Sequence, residues 1–446
     1  MTTFTPRKVS ARILLFIALA EIILGVFINP WVAPLWDKPP ANWQNDYQLV
    51  TLHFFVAAIV TACVTAVWSC LIWRRTHRVF DNLALTFLIL SLVVLCDRLL
   101  LRHFGQSIWI ADPKVHFRHR PNAVRTWPEV YTRGSPKPVR INHWGFHDDD
   151  FPLTKPDGEF RALVLGDSVT MGHGVTEDET YVNQLEDLLN RSSSQYRHHQ
   201  IINTAVSGYG TQQEYEILKE SLRFDPDMVL VGFCMNDATE PFVTNRDLGG
   251  VGFGNQGITQ YKNRLLGFLF HETGFGRWIE SLTTRSKLQR NLARQEVYNV
   301  EYMSQHLHDD PRIERAWHIV LTDLEKIYRL CEKNNIPVIL LIFPHTFQLG
   351  RDVNAATPQR LLKEHAQRFQ VPVIDFTMVF QFKIADQIIE YNKHEVPEPA
   401  VNALLSRYLL KFYLDWDHLS VQGHRVAAQV IFDYLHDQEF ITPAAH

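Results

Sequence analysis

From residue 159 onward, short β-branched runs alternate with helical patterns, and this alternation constrains the fold of the 446-residue chain more than any other feature. Runs at 161–165, 200–205, 228–233, 337–343 and 371–376 have strand length and are bounded by turn or polar residues. Between them, Leu185, Leu188 and Leu189 share one helical face, and Thr211-Gln-Gln-Glu214 reads as a capping box opening the next helix. Trp317, Val320, Leu321, Leu324, Ile327 and Cys331 form the core stripe of a third helix, and Thr357-Pro358 fits an N-cap followed by proline. Continuous apolar strands separated by helices imply the α/β class, with a parallel sheet covered on both faces.

The first strand ends in a corner, Gly166-Asp167-Ser168, inside the run Arg161-Ala-Leu-Val-Leu-Gly-Asp-Ser-Val-Thr-Met-Gly172. Ligands of open α/β sheets gather beyond the carboxyl ends of strands, so this serine is placed to react. The corner is not Gly-x-Ser-x-Gly, because Thr170 stands where the second glycine would be. About 250 residues later, Asp415-Trp-Asp-His418 supplies a carboxylate and an imidazole three apart. That spacing lets the carboxylate orient the ring while its other nitrogen faces a serine, the logic of acyl-transfer sites. Asp417 competes with Asp415 for the orienting role.

Gly166-Asp-Ser-Val-Thr-Met-Gly172 resembles the first block of the SGNH (GDSL-type) hydrolases, and Asp415-x-x-His418 resembles their last. Asn203-Thr-Ala-Val-Ser-Gly208 and Phe233-Cys-Met-Asn236-Asp237 are similar to the second and third blocks, in the family's order. The resemblance covers roughly residues 159–437 and implies a three-layer α/β/α, flavodoxin-like domain of about five parallel strands. It also implies roles. Ser168 would be the nucleophile, His418 the base and Asp415 its orienter, with an oxyanion hole from Ser168, Gly208 and Asn236. The family's glycine two residues before the asparagine is Cys234 here, which bears on pocket shape. Asp167 is expected to brace the serine turn, and His424 to belong to the final helix. Asn142-His-Trp-Gly-Phe-His147 is similar to an Asn-x-x-Gly-Phe-Arg segment of membrane-linked members, with histidine in the last place.

The first 105 residues read differently. Apolar segments at 13–36, 49–73 and 83–104 approach the ~20 residues a helix needs to cross a bilayer. Arg7, Lys8 and Arg12 precede the first, Lys38 follows it, and Arg74, Arg75 and Arg78 lie between the second and third. The positive-inside rule then orients the N terminus inward and places the remainder of the chain outside the cytoplasm. The first segment lacks a small-x-small cleavage site after Asn29-Pro30, so it reads as an uncleaved anchor. Asp97 and Arg98 interrupt the third segment, and pairing or an interfacial position would accommodate them. The expected location is therefore the cell (inner) membrane, multi-pass, with a periplasmic or otherwise extracytoplasmic catalytic part.

Residues 106–158, rich in Pro, Arg, His and Trp, read as an irregular connector, and 159–446 as the hydrolase-like domain with an insertion at about 238–312. The insertion leaves the strand ending at Asn236 and contains Gly249-Gly-Val-Gly-Phe-Gly254. No strand-to-helix turn or following acidic strand accompanies these glycines, so they are not a dinucleotide fingerprint. A net charge of -4, without a long basic tract, excludes nucleic acid as a partner. Five cysteines are too few for a disulfide framework, and a Cys234–Cys331 bridge is not expected. His306-Leu-His308-Asp-Asp310 groups ligand-type residues, but the implied mechanism needs no metal or cofactor. Expected partners are membrane lipid and an ester-bearing glycan or lipid substrate. The leading function is an esterase acting on O-acetyl esters of envelope glycans or polysaccharides. An O-acyltransferase, a lipase or thioesterase, and a catalytically retired glycan-binding scaffold are the alternatives.

Overall fold

The computed structural model describes residues 65, 91–103, 107–127, 129–238, 273–284, 300–307, 309–349, 357–392 and 409–442. The chain divides into two compact units: Met1–Ser107 with Leu265–Arg285, and Ile108–Arg264 with Ser286–His446.

In the second unit the segment expected to be an irregular connector is instead two antiparallel ribbons. β1 (Trp109–Asp112) pairs with β2 (His116–His119), and β3 (Val124–Trp127) with β4 (Lys137–Arg140). Each strand has four residues of mixed polarity, too short to write a period of two into the sequence. The following Asn142 turn is closed by its own side chain, which accepts from the N–H groups of Trp144 and Phe146 and donates to the Asp149 carbonyl.

Five parallel strands follow: β5 (Glu159–Gly166), β6 (His198–Asn203), β7 (Met228–Cys234), β8 (Val338–Phe343) and β9 (Val373–Asp375). Their spatial order is β6-β5-β7-β8-β9, so the chain reverses direction across the sheet between β6 and β7, beside β5. This is the 2-1-3-4-5 order of flavodoxin-like sheets, with the switch point at the carboxyl end of β5. Alternate residues of β5 enter separate cores. Leu163 and Leu165 pack with α2 (Thr211–Ser221), α3 (Pro311–Lys333) and α4 (Thr357–Arg368). Ala162 and Val164 pack with α1 (Tyr181–Arg191), α5 (Phe376–Asn392) and α6 (Val421–Asp437). Cys331 belongs to the first core and Cys234 to the second, and both are free thiols. Apolar burial on both faces, at ~1.5–3 kcal/mol for each large aliphatic or aromatic side chain, makes this sheet the rigid platform of the unit.

Three local differences have simple causes. Asp375 Oδ1 accepts from Thr377 N, so β9 stops at Asp375 and α5 starts where the sixth residue of the expected strand would lie. The N-cap of α2 is Gly210 rather than Thr211, which is the first helical residue, and Gln213 Oε1 accepts from Gly210 N. Asp310, one of the grouped ligand-type residues, accepts from Arg312 N and pairs with its guanidinium, capping α3 ahead of Pro311. His308 and Gly249–Gly254 lie outside the described residues.

The first unit includes helical residues 91–103 and the helix Gly274–Thr284, which comes from the insertion. Asp97 Oδ1 accepts from Phe275 N, in the first turn of that second helix, where a carboxylate complements the unsatisfied N–H groups. No helix among the described residues is long and apolar enough to cross a membrane. Apart from Thr65, the apolar segments at 13–36 and 49–73 lie outside the described residues, as do residues 83–90 of the third.

Candidate active site

The serine corner is built from buried groups. Ser168 opens a one-turn helix, Ser168–Met171, capped by Asp167, whose Oδ1 accepts from Val169 N at 2.9 Å. Thr170 Oγ1 receives the Tyr181 hydroxyl at 3.0 Å, and the Thr170 carbonyl accepts from Asn203 Nδ2 at 3.1 Å. His147 is fully buried and its Nδ1 bonds the Met171 carbonyl at 2.7 Å, so the Asn142–His147 segment supports the corner from behind. Thr170 and Tyr181 also close over Gly232 of β7, where any Cβ would collide with both hydroxyls.

Two loops flank this corner. After β6 the chain keeps pairing with β5 through Val206 N to the Gly166 carbonyl, then turns at Gly208 with φ 81°, a left-handed conformation suited to glycine. Ser207 Oγ approaches Met171 Sδ at 3.0 Å, which brings this turn beside the serine helix. After β7, Asn236 lies in the turn Met235–Ala238 and donates from Nδ2 to Asp167 Oδ2 at 2.7 Å. Asp167 thus ties the serine block to the asparagine block. Burial raises its pKa against the opposing pull of the Asn236 and Val169 donors.

His418 comes from the loop before α6. Its Nε2 stands 2.9 Å from Ser168 Oγ, and its Nδ1 bonds Asp415 Oδ2 at 2.8 Å. Asp415 Oδ1 also accepts from the N–H groups of His418 and Asp417, fixing the loop against itself. Burial disfavours the imidazolium, but Asp415 and then Asp417 outweigh it, raising the His418 pKa above the ordinary imidazole value. Burial likewise opposes ionisation of Asp415, and His418 more than reverses this, leaving its pKa well below the usual carboxylate range. A hydroxyl, an imidazole and a carboxylate in this sequence are equipped for nucleophilic attack with proton transfer.

All five residues singled out from the sequence gather at the carboxyl ends of β5, β6 and β7 and on the loop before α6. His424 does not: it lies on α6, where its Nδ1 accepts from Tyr181 N and caps α1. Burial pushes its pKa down to about 3, keeping the lone pair available for that bond. Several neighbours went unrecognised in the sequence. His173 stacks on His418 with ring centroids 4.5 Å apart, and it also meets Trp127 at 4.2 Å and Tyr131 at 4.7 Å. Trp127 and Tyr131 belong to the expected connector, and nothing in its composition signals contact with a loop 40 or more residues later. His345, just beyond β8, bonds Cys234 Sγ through Nδ1 at 3.5 Å.

A parallel sheet with a serine, histidine and aspartate joined at its carboxyl edge defines a serine hydrolase of the α/β class. The chain belongs to the GDSL-like lipase/acylhydrolase family, whose model matches residues 164–426, and it is a hydrolase acting on ester bonds. Among solved structures it is similar to a lipase/acylhydrolase from Enterococcus faecalis, at 15% identity, covering 64% of this chain and 100% of that one, with a TM-score of 0.33. An acetylxylan esterase from Geobacillus stearothermophilus is 14% identical over 61% of this chain and 93% of its own, with a TM-score of 0.33. An α/β hydrolase from the metagenome of Lake Arreo, Spain, is 15% identical over 61% of this chain and 94% of its own, also with a TM-score of 0.33. Comparison with curated proteins finds no match.

Proposed function

We propose that the protein is a membrane-anchored serine esterase that removes acyl groups, O-acetyl in particular, from envelope glycans or polysaccharides. The observation that carries the reading is the unbroken chain from Ser168 Oγ through His418 to Asp415, at 2.9 and 2.8 Å. Ser168 Oγ attacks the acyl carbonyl carbon while His418 Nε2 takes its proton. The tetrahedral oxyanion is met by the backbone N–H groups of Ser168 and Gly208 and by the Asn236 amide. A carboxamide carries two N–H hydrogens; Asp167 takes one and thereby orients the other. His418 then returns the proton to the leaving alcohol, giving an acyl-serine. Water, deprotonated by the same nitrogen, attacks that ester and releases the carboxylic acid and the free serine.

The His173 ring beside the base, packed on Trp127 and Tyr131, supplies an aromatic surface of the kind that lines ligand sites and would accept a sugar-bearing alcohol. An intact hydrogen-bond chain argues against a retired scaffold. Anchoring is supported by the three apolar segments, and by Leu92, Val93, Val94 and Leu99, which are exposed on the described part of the third. The distribution of Arg and Lys supports a catalytic part outside the cytoplasm, at the cell (inner) membrane. A series of p-nitrophenyl esters tests the substrate class: acetate should be favoured over long acyl chains. The opposite order would make a lipid ester the substrate. A topology reporter fused after residue 110 should be active only outside the cytoplasm.

A further inference from the structure

The loop carrying His418 holds a second carboxylate that a serine triad does not require. Asp417 Oδ1 lies 3.1 Å from His418 Nδ1, alongside the Asp415 oxygen that takes the hydrogen bond. The two carboxylates differ in setting: the Asp415 side chain is 26% exposed and that of Asp417 only 4%. A carboxylate so deeply buried is costly unless charge or hydrogen bonds compensate it. Asp417 has imidazoles near both oxygens, with Oδ2 4.0 Å from His345 Nε2.

His345 is itself held from behind. Its Nδ1 meets Cys234 Sγ at 3.5 Å, and its backbone N–H donates to Gln348 Oε1. Thr346 N donates to the Trp416 carbonyl, stitching this turn to the His418 loop. Burial pushes His345 down to about 3, so it stays neutral, with Nδ1 as acceptor for the thiol and an N–H on the side of Asp417. One ligand-type atom from each of Cys234, His345 and Asp417 lies within 4.8 Å of the others, so a protonated thiol and a neutral imidazole pack compactly against the carboxylate. Cys234 occupies the place where the family block carries glycine, which has no side chain to reach His345. The charge that Asp417 meets is therefore that of His418.

We propose that Asp417 is a second positioning residue for His418, backed by the Cys234–His345 pair, so that two carboxylates clamp the base. This rests on the triad reading of the same site. Either carboxylate holds the ring in its working orientation, and both stabilise the imidazolium formed as Ser168 attacks. The other ionisable groups around the ring are Asp167 from the serine corner, His173 stacked on it, His345 from beyond β8 and His424 from α6, with Arg133 acting on Asp415.

The test is the pH profile of kcat/KM for p-nitrophenyl acetate with full-length protein. Activity needs neutral His418, so the acid limb reports its pKa. Removing a neighbouring negative charge lowers that pKa: Asp417→Asn should move the limb downward by roughly one to three pH units. Asp415→Asn alone should retain at least about tenfold more activity than the Asp415→Asn/Asp417→Asn double variant. An unmoved limb in Asp417→Asn, or Asp415→Asn as inactive as the double variant, overturns the proposal. Hydrolysis surviving in Ser168→Ala would instead overturn the triad reading and this one with it. If Asp417→Asn does not fold, Cys234→Ala and Cys234→Ser decide. With KM unchanged, kcat should fall severalfold in the alanine variant and recover with serine; equal kcat in all three proteins overturns the clamp.

Discussion

The serine corner and the histidine loop meet within a hydrogen bond, yet they are held by different physics. On the serine side the fixing contacts are buried hydrogen bonds and steric closure: Tyr181 to Thr170, Asn203 to the Thr170 carbonyl, His147 to the Met171 carbonyl, and two hydroxyls closed over Gly232. On the histidine side they are charges, Asp415 and Asp417 around one imidazole, in a loop that is partly exposed. The difference assigns tasks. A nucleophile must keep its position, which packing and backbone geometry secure across pH. A base must gain and lose a proton, so its surroundings have to respond to charge.

Removing the nucleophile is the most severe way to separate the halves. Ser168→Ala should lower ester hydrolysis on the order of 10⁴- to 10⁶-fold and abolish labelling by a fluorophosphonate probe. Since no charge changes, the loop around His418 should survive, and an unchanged thermal unfolding curve would show it. Asn236→Ala, which removes both the Asp167 tie and one proposed oxyanion donor, should cost ~10²- to 10³-fold in kcat. A loss confined to KM would mean that Asn236 binds substrate rather than the oxyanion. Gly232→Ala attacks the serine side by volume alone, and overpacking there should cost ~1–3 kcal/mol of stability. Unfolding in urea checks it; an unchanged midpoint would show that Thr170 and Tyr181 do not clamp the corner.

How much of this was legible in the sequence follows the same division. Parallel strands buried on both faces are written as continuous apolar runs, so Leu163, Val164, Val231 and Leu340 announced the sheet. The serine corner was equally plain because its constraints are local: a capping aspartate, a following turn and glycines. The ribbons at 109–140 were not, because four-residue strands of mixed polarity carry too little pattern. Spacing on one loop also cannot say how two carboxylates share a nitrogen, so Asp417 read only as a competitor of Asp415. The partners of Cys234 and Asp97 lie 111 and 178 residues away, and contacts at that range leave no periodic trace.

One element of the serine side should titrate, and it sharpens the comparison at the smallest scale. Asp148 Oδ2 accepts from Asn203 N, and Asn203 in turn holds the Thr170 carbonyl. Burial pushes Asp148 up to about 7, and burial followed by Asp148 itself pushes Glu186 up to about 8. In the unfolded chain these carboxyls ionise near their ordinary values of 3.8 and 4.5. Between those values and the folded ones, the native state binds more protons than the unfolded state, so stability falls as pH rises. The contribution is fully present below the unfolded-chain values and is lost as pH rises through about 7 for Asp148 and about 8 for Glu186. Within the window the slope is up to ~1.4 kcal/mol per pH unit for each group. Asp148→Asn keeps an acceptor for Asn203 and cannot ionise, so its unfolding midpoint should decline less between pH 5 and pH 8 than that of the unaltered protein. The acid limb of kcat/KM should stay where it is, because the largest influences on His418 are burial, Asp415, Asp417 and Asp167 rather than Asp148. Parallel pH–stability curves for the two proteins would remove Asp148 as the titrating group. A displaced acid limb would mean that the two sides of the site are electrostatically coupled after all.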